Sequence, residues 1–326
     1  MKKTKLLLLC TTCVPFLAGI SACSGGNTDI GILQYGEFEA LDNARKGFID
    51  GLKEAGFGDL KIDYRNAHAT DANVGNASSA LASKKHKLNL AIATPCATAL
   101  KSEQMAIGST TPMLFTAVTD PVGSNLVTNP DAPEGFVTGS SDMQPDEAMR
   151  NQIGIVKKMM PAAEKLGIFY CANEPNSVAQ ATIAKQIAAE ENLTVVEDTC
   201  MDALSIVTKI SSMAPKVDAI WIPTDNTVAS NMSFVKEGLG ENKTLVVVGE
   251  EGMLDGGQVT VSISYYSLGL KTAELAVKIL RGDAVSNVPV FYPTIDNCSY
   301  VYSEKNLTDA GFTANDLPTD YTWSKK

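Results

Sequence analysis

Histidine is almost absent from this sequence: there are two in 326 residues, His68 and His86. The first stands in a strand-to-helix loop and the second at a helix end beside Lys84, Lys85 and Lys87, so both read as surface positions. Imidazole acid–base chemistry and histidine metal sites therefore have little to draw on. Beyond residue 23 the cysteines are Cys96, Cys171, Cys200 and Cys298, and no two are spaced as in a zinc site. No glycine-rich phosphate loop occurs. Basic residues are also short, 27 against 37 acidic. Phosphate-backbone binding needs clustered Lys and Arg, so nucleic acid is excluded as a partner. Past the first twenty residues no apolar run reaches the roughly 20 residues that a membrane-spanning helix requires.

What the chain does have begins at its start. Met1-Lys2-Lys3-Thr4-Lys5 is followed by an apolar stretch from Leu6 to Ile20 and then by Ser21-Ala22-Cys23. A cationic opening, a short apolar run and small residues before a cysteine are the layout of a secretory signal. The stretch is too short, and too interrupted by Thr11, Thr12 and Pro15, to remain as a span. Ile20-Ser21-Ala22-Cys23 resembles the lipobox of bacterial lipoproteins, which implies cleavage before Cys23 and lipid on its sulfur and amino group. Residues 1–22 are then a signal peptide and residues 23–28, with Ser24-Gly25-Gly26-Asn27, a lipid-anchored tether. The leader carries Lys2, Lys3 and Lys5 and no acid, so the mature balance is 24 basic against 37 acidic, or −13.

The mature body suits two domains at the usual size of roughly 100 to 200 residues each. From Ile30 onward short β-rich runs alternate with helical patterns. The strands expected are at 30–35, 60–64, 88–93 and 112–117 in a first half, and at 165–170, 193–197, 217–222 and 244–248 in a second. The pattern predicts βαβ units and parallel sheets, two Rossmann-like α/β lobes. A remainder, with strands at 258–264 and 298–302 and a helix at 268–280, is too short for a domain and must complete the other two. The expected division is 29–139 plus about 264–295 for lobe one, and 140–263 plus about 296–326 for lobe two. Several crossings between α/β lobes make a hinge, and the hinge makes a cleft that can close.

In open α/β sheets ligands bind beyond the carboxyl ends of the strands. The residues there are mostly polar and uncharged. In the first half they are Gln34, Tyr35, then Thr94 to Ala97, then Thr116, Ala117, Val118, Thr119 and Asp120; in the second, Tyr170, Asn176, Ser177, Asp225, Asn226, Glu250 and Glu251. Helices opening at Thr94-Pro95 and Asn176-Ser177 are expected to aim free amides into the cleft and cradle a carboxylate. Asp120, Asp225, Glu250 and Glu251 would hold a cation, and the two together complement an amino-acid zwitterion. Tyr35, Tyr170, Tyr265 and Tyr266 offer rings for stacking. The same residues also serve as plain caps and half-buried packing. Cys96 at a helix N-terminus is the one nucleophile on offer, and it lacks a recognisable base, so catalysis, metal and cofactor are not expected. Cys171 and Cys200 each follow an expected strand of one half, which leaves a bridge between them open; otherwise the four body cysteines are small buried hydrophobes.

Several blocks together resemble the type I solute-binding proteins of ABC importers, in particular the lipoprotein branch that includes tryptophan- and other aromatic amino-acid-binding members. These blocks are 31–34, Ala93-Thr94-Pro95, 115–122, Glu174-Pro175-Asn176-Ser177, 217–220 with 223–229, and Glu250-Glu251-Gly252-Met253, and the likeness runs from about 30 to 312. The resemblance implies that Thr94, Thr116, Thr119 and Asp120 face Asn176, Ser177, Asp225 and Asn226 across the ligand. It also implies a monomer that delivers its ligand to a membrane permease with a cytoplasmic ATPase. The full set of expected ligand contacts is Gln34, Tyr35, Thr94, Ala97, Thr116, Val118, Thr119, Asp120, Tyr170, Asn176, Ser177, Asp225, Asn226 and Glu251. The branch often has Glu-His-Pro after the first strand, where this chain has Glu37-Phe38-Glu39, and Phe38 could itself stack on a ring. Other readings are a receptor of the same fold for a sugar or nucleoside, one that feeds a sensor protein, and a hydrolase using Cys96.

Overall fold

The computed structural model describes residues 28–326, so the leader and Cys23 lie outside the described residues. The chain runs β1 (Ile30–Gln34), α1 (Glu39–Leu52), β2 (Ile62–Asn66), α2 (Asp71–Ala82), β3 (Leu88–Ile92), α3 (Thr94–Ala106), β4 (Met113–Val118) and β5 (Val137–Ser141). It continues through α4 (Asp146–Met159), β6 (Lys165–Cys171), α5 (Pro175–Glu190), β7 (Thr194–Cys200), α6 (Ile206–Met213), β8 (Ala219–Ile222), α7 (Asn226–Ala229), α8 (Met232–Leu239) and β9 (Leu245–Val248). It ends with β10 (Val259–Ile263), α9 (Tyr265–Leu280), β11 (Cys298–Tyr302), α10 (Glu304–Asp309) and β12 (Trp323–Lys325).

Two sheets result, in the orders β2-β1-β3-β4-β5 and β12-β11-β10-β9-β8-β6-β7. Among the described residues every strand pairing is parallel except β10 with β11. Strands β1, β3, β4, β8, β9 and β10 are buried along their whole length, as strands covered by helices on both faces must be. The architecture is two α/β lobes with parallel sheets, the type I periplasmic-binding fold.

Three crossings join the lobes: from β5 into α4, from β10 into α9, and from the segment after α9 into β11. At the hinge the first and third crossings lie side by side, since Phe291 N–H donates to Gly139 O and Ser141 N–H to Phe291 O, 2.9 and 2.8 Å. Helix α9 leaves the second sheet and packs on lobe one against α1. A Cβ on Gly47 would stand 2.0 Å from Tyr266 O, and one on Gly269 2.1 Å from Ala44 O. Only glycine at both positions lets the two helix backbones approach this closely.

His86 departs from the surface position expected of it. It is 6% exposed, with Nε2 2.9 Å from Thr28 Oγ1 and Nδ1 2.8 Å from Asn89 Oδ1, because the loop before β3 folds beneath the strand ends. The strand β12 falls on a stretch that no strand signal marked; it adds to the edge of β11, where Trp323 packs edge-on against Tyr300 and Tyr302.

Candidate functional site

Between the lobes lies a cleft with open space of about 300 Å³. Lobe one contributes Phe38, Ala40 and Leu41 from the start of α1, and Ala117 and Thr119 from the end of β4. Lobe two contributes Asn176 on α5, Thr224, Asp225, Asn226 and Ala229 around α7, and Glu250 after β9. The hinge adds Asp142 and Tyr265. Ala117 in the cleft wall and Ala93, which follows β3, have φ of 55° and 81°, values that suit glycine.

The polar groups form a connected net. Asp142, 4% exposed, accepts from Tyr265 O–H at 2.7 Å and from Thr119 O–H at 2.9 Å. Burial raises its carboxyl above the usual range, and those two hydroxyls hold it back in part. Asp225 accepts the backbone N–H groups of Cys171 (2.7 Å) and Val228 (2.9 Å), so it caps α7 and ties it to β6. Burial, with the Glu174 charge beside it, pushes its carboxyl well up. Glu174 is occupied by α7: Asn226 N–H, Asn226 Nδ2, Thr227 N–H and Thr227 O–H all donate to it, at 2.9, 2.7, 2.7 and 2.6 Å. Burial lifts Glu250 to about 7; Gly252 N–H opposes this and the Glu39 charge adds to it.

Asn176 is 3% exposed. Its Nδ2 donates to Thr224 O at 2.8 Å and lies near Ser177 Oγ and Glu174 Oε2, while its Oδ1 is buried without any partner. An orphaned buried acceptor in a cleft calls for a donor from outside the protein. Across the gap Gln180 Nε2 lies 3.4 Å from Thr119 Oγ1 and donates to Thr224 Oγ1. At the start of α1 the N-cap is Phe38, which has no side-chain acceptor, so the first-turn amides beside Ala40 and Leu41 carry no cap.

Of the expected ligand contacts Thr119, Asn176, Asp225 and Asn226 meet in this cleft, together with Glu250, expected to hold a cation, and Phe38 and Tyr265, expected as stacking rings. The others lie behind or beside it. Gln34 spends its amide on Gly36 O, Asp42 and Arg45. Thr116 Oγ1 faces Thr272 on α9 at 3.0 Å. Tyr170 donates to Glu197 at 2.7 Å, on the outer side of lobe two. Asp120 caps its own turn through Gly123 N–H. Thr94, Ala97, Val118 and Ser177 are buried and do not line the cleft, and Tyr35, also buried, lies close to Glu174 and Cys171 of lobe two. Glu251 is half-buried, and it is its neighbour Glu250 that reaches the cleft. The starts of α3 and α5, like that of α1, carry no side-chain cap, and of the three it is α1, through Phe38, Ala40 and Leu41, and α5, through Asn176, that line the cleft.

Cys96 is fully buried, and burial pushes its thiol up instead of down. The helix-start effect expected to activate it loses to desolvation, so the thiolate nucleophile has no basis. Among the described residues no cluster of three or more His, Cys, Asp or Glu is arranged to hold a metal. No helix there is long and apolar enough to cross a membrane.

The family described as ABC transporter substrate binding protein matches residues 29–317. The chain belongs to this family. A tyrosine-binding protein of Clostridioides difficile (strain R20291) is 35% identical over 283 residues, 86% of this chain and 79% of that one. The crystal structure of an ABC domain in complex with L-Trp, from Streptococcus pneumonia, aligns with TM-score 0.82 at 32% identity, covering 90% of this chain and 97% of that one. The ligand-free, open structure of a substrate-binding protein with adhesive properties, from Clostridium difficile, aligns with TM-score 0.68 at 34% identity, covering 92% of this chain and 99% of that one. At nearly equal identity the better fit is to the complex. Contacts across the gap agree with this: Lys326 Nζ, on lobe two, reaches Glu39 Oε2 on lobe one at 2.8 Å, as Gln180 reaches Thr119. The lobes of this substrate-binding protein stand drawn together.

Proposed function

We propose that this substrate-binding protein captures an aromatic amino acid by hinge closure and passes it to an ABC permease and its ATPase, while lipid on Cys23 holds it at the membrane. The observation that carries the ligand class is the charge of the cleft. Asp142, Asp225, Glu250 and the orphaned Asn176 Oδ1 are acceptors, and no Lys, Arg or His is among the lining residues. Buried carboxylates without a cation are costly, so the ligand must bring N–H donors and positive charge. An α-ammonium meets that demand. Its carboxylate would lie on the first-turn amides of α1, where the helix dipole favours a negative charge. The side chain would lie against Phe38, Leu41 and Ala229, an apolar wall that suits a ring. The tyrosine- and L-Trp-binding relatives support the same class.

The residues proposed to hold the ligand are Phe38, Thr119, Asp142, Asn176, Asp225, Asn226, Glu250 and Tyr265. In the working organisation residues 1–22 are a leader and 23–28 a tether; residues 29–139 with about 264–295 form one lobe and the remainder the other, acting as a monomer. The test is thermal melting of the leader-free protein against the twenty amino acids, ribose and inosine. A ligand at 100 times its Kd adds about 2.7 kcal/mol, so tryptophan, tyrosine or phenylalanine should raise the midpoint by several degrees. A shift with ribose or inosine alone would replace this reading with a sugar or nucleoside receptor.

A further inference from the structure

Two cysteines stand side by side beneath the cleft floor of lobe two. In the parallel pair β6 and β7 the register places Cys171 directly opposite Cys200. Residues opposed in this way point to the same face, and neighbouring strands lie about 4.8 Å apart, inside the roughly 4.4 to 6.8 Å between Cα atoms that a disulfide spans. Both side chains are buried in the same apolar cluster, at 2% and 1% exposure. Both are free thiols in the structure, and their mutual interaction lowers the Cys171 thiol and raises that of Cys200. Cys171 is also joined to the cleft: its N–H donates to Asp225 and its sulfur lies within hydrogen-bond reach of Thr227, whose own N–H and O–H hold Glu174.

We infer that Cys171 and Cys200 form a disulfide in the exported protein, fastening β7 to β6 under the helix that carries Asp225 and Asn226. The inference rests on the extracytoplasmic location, where disulfides form and persist. The chemistry is thiol–disulfide exchange with a disulfide-bearing oxidoreductase or a small disulfide. The Cys171 thiolate attacks one sulfur of the donor disulfide and expels the other as a thiolate. The Cys200 thiolate then attacks the mixed disulfide at the Cys171 sulfur and expels the second donor thiolate. The protein loses two electrons and two protons, and the donor is reduced to its dithiol. Because both thiols are buried in the folded protein, exchange takes place while the chain folds. The bridge closes a loop containing α5, whose first turn bears Asn176, so it restrains lobe two without taking any acceptor from the cleft.

The test uses protein exported by a host through its own leader and purified without reductant. After alkylation and trypsin digestion without reductant, the peptide Leu166–Lys185 should be found joined to Gln186–Lys209, with the mass of the pair less two hydrogens, and should separate on reduction. Dithiothreitol should lower the melting midpoint of the wild type by several degrees and leave the Cys171→Ala, Cys200→Ala double variant unmoved. Recovery of both peptides alkylated, including after refolding with oxidised glutathione, would overturn the inference. So would a wild-type midpoint that ignores reductant. The mass measurement needs no variant, and neither outcome bears on which ligand fills the cleft.

Discussion

Replacing Asp142 by Asn separates the ligand's charge requirement from the fold's. Asp142 is buried and accepts from two hydroxyls, Tyr265 O–H on one oxygen and Thr119 O–H on the other; in the Asn variant one hydroxyl would still donate to the amide oxygen and the other would rotate to accept from Nδ2. Its raised carboxyl pKa shows that the folded protein, as it stands, disfavours the charge. The Asp142→Asn substitution therefore costs the ligand-free protein little, and its melting midpoint should be unchanged or higher. Binding behaves oppositely. If Asp142 faces the ligand ammonium, removing one partner of a buried charge pair costs about 3 to 5 kcal/mol. At about 1.4 kcal/mol per decade, this weakens Kd by roughly two to four decades. Isothermal titration with the amino acid that gives the largest thermal shift measures it, with melting of the ligand-free variant as the control for folding. A Kd within about threefold of wild type, below 1 kcal/mol, would refute the placement of the ammonium at Asp142. Asp225→Asn is a poorer probe, because both oxygens of Asp225 hold backbone N–H groups and its loss would loosen α7.

The ligand-free protein should lose stability as pH rises toward 8. Glu250 titrates near 7 in the fold against 4.5 unfolded, so between those values the folded state holds the extra proton and stability falls as pH rises; a midpoint flat from pH 5 to 8 would contradict this, and the ligand's affinity should move the other way, strengthening as Glu250 ionises. Gly47→Ala places a methyl 2.0 Å from Tyr266 O and should destabilise by about 1 to 3 kcal/mol or more, read by urea denaturation; no loss would mean that α9 slides freely on α1. Lys326→Met removes the ion pair to Glu39 across the gap. That pair is partly exposed and worth at most about 1 kcal/mol, so small-angle scattering of the ligand-free variant should show a modest shift toward an open form and Kd should weaken by no more than about fivefold.

The alternation of strands and helices was legible because parallel strands covered on both faces are written as short apolar runs such as Leu88–Ile92 and Leu245–Val248. The site was legible only in part. Asking which residues follow a strand finds Thr119, Asn176, Asp225, Asn226 and Glu250, but it cannot say which neighbours turn inward. Thr116 and Gln34 satisfy the same rule, yet their polar atoms go to Thr272 and to the Asp42–Arg45 pair, partners remote in sequence. Asp142 escapes because it sits on a crossing and reads as a connection. Ala40 and Leu41 read as the core face of α1, which they also are. A signal for Tyr265 does exist, since it stands just past the strand ending near Ser264, and in the sequence it reads only as a ring available for stacking.

The same buried acids that select the ligand also explain why closure should depend on it. Drawing the lobes together leaves Glu250 3% exposed, with Glu39 approaching from the other lobe. Its shift from 4.5 to about 7 corresponds to about 3 kcal/mol of disfavoured charge above neutral pH. Lys326, which reaches Glu39 and Asp255, offsets part of this from the rim, but no cation enters the cleft itself. That cost is set against a solvated carboxyl, and whatever part of it closure adds is the part that an arriving ammonium removes. Moving a two-state equilibrium from 1:99 to 99:1 takes about 5.5 kcal/mol of differential affinity. Relief at Glu250 contributes toward that, and Asp142 with the orphaned Asn176 Oδ1 are placed to supply more. A neutral ligand of the same shape would fill the apolar wall and leave those acids unrelieved. Indole-3-propionate, which keeps the ring and carboxylate and lacks the amine, should therefore bind at least about a hundredfold more weakly than tryptophan and fail to close the lobes.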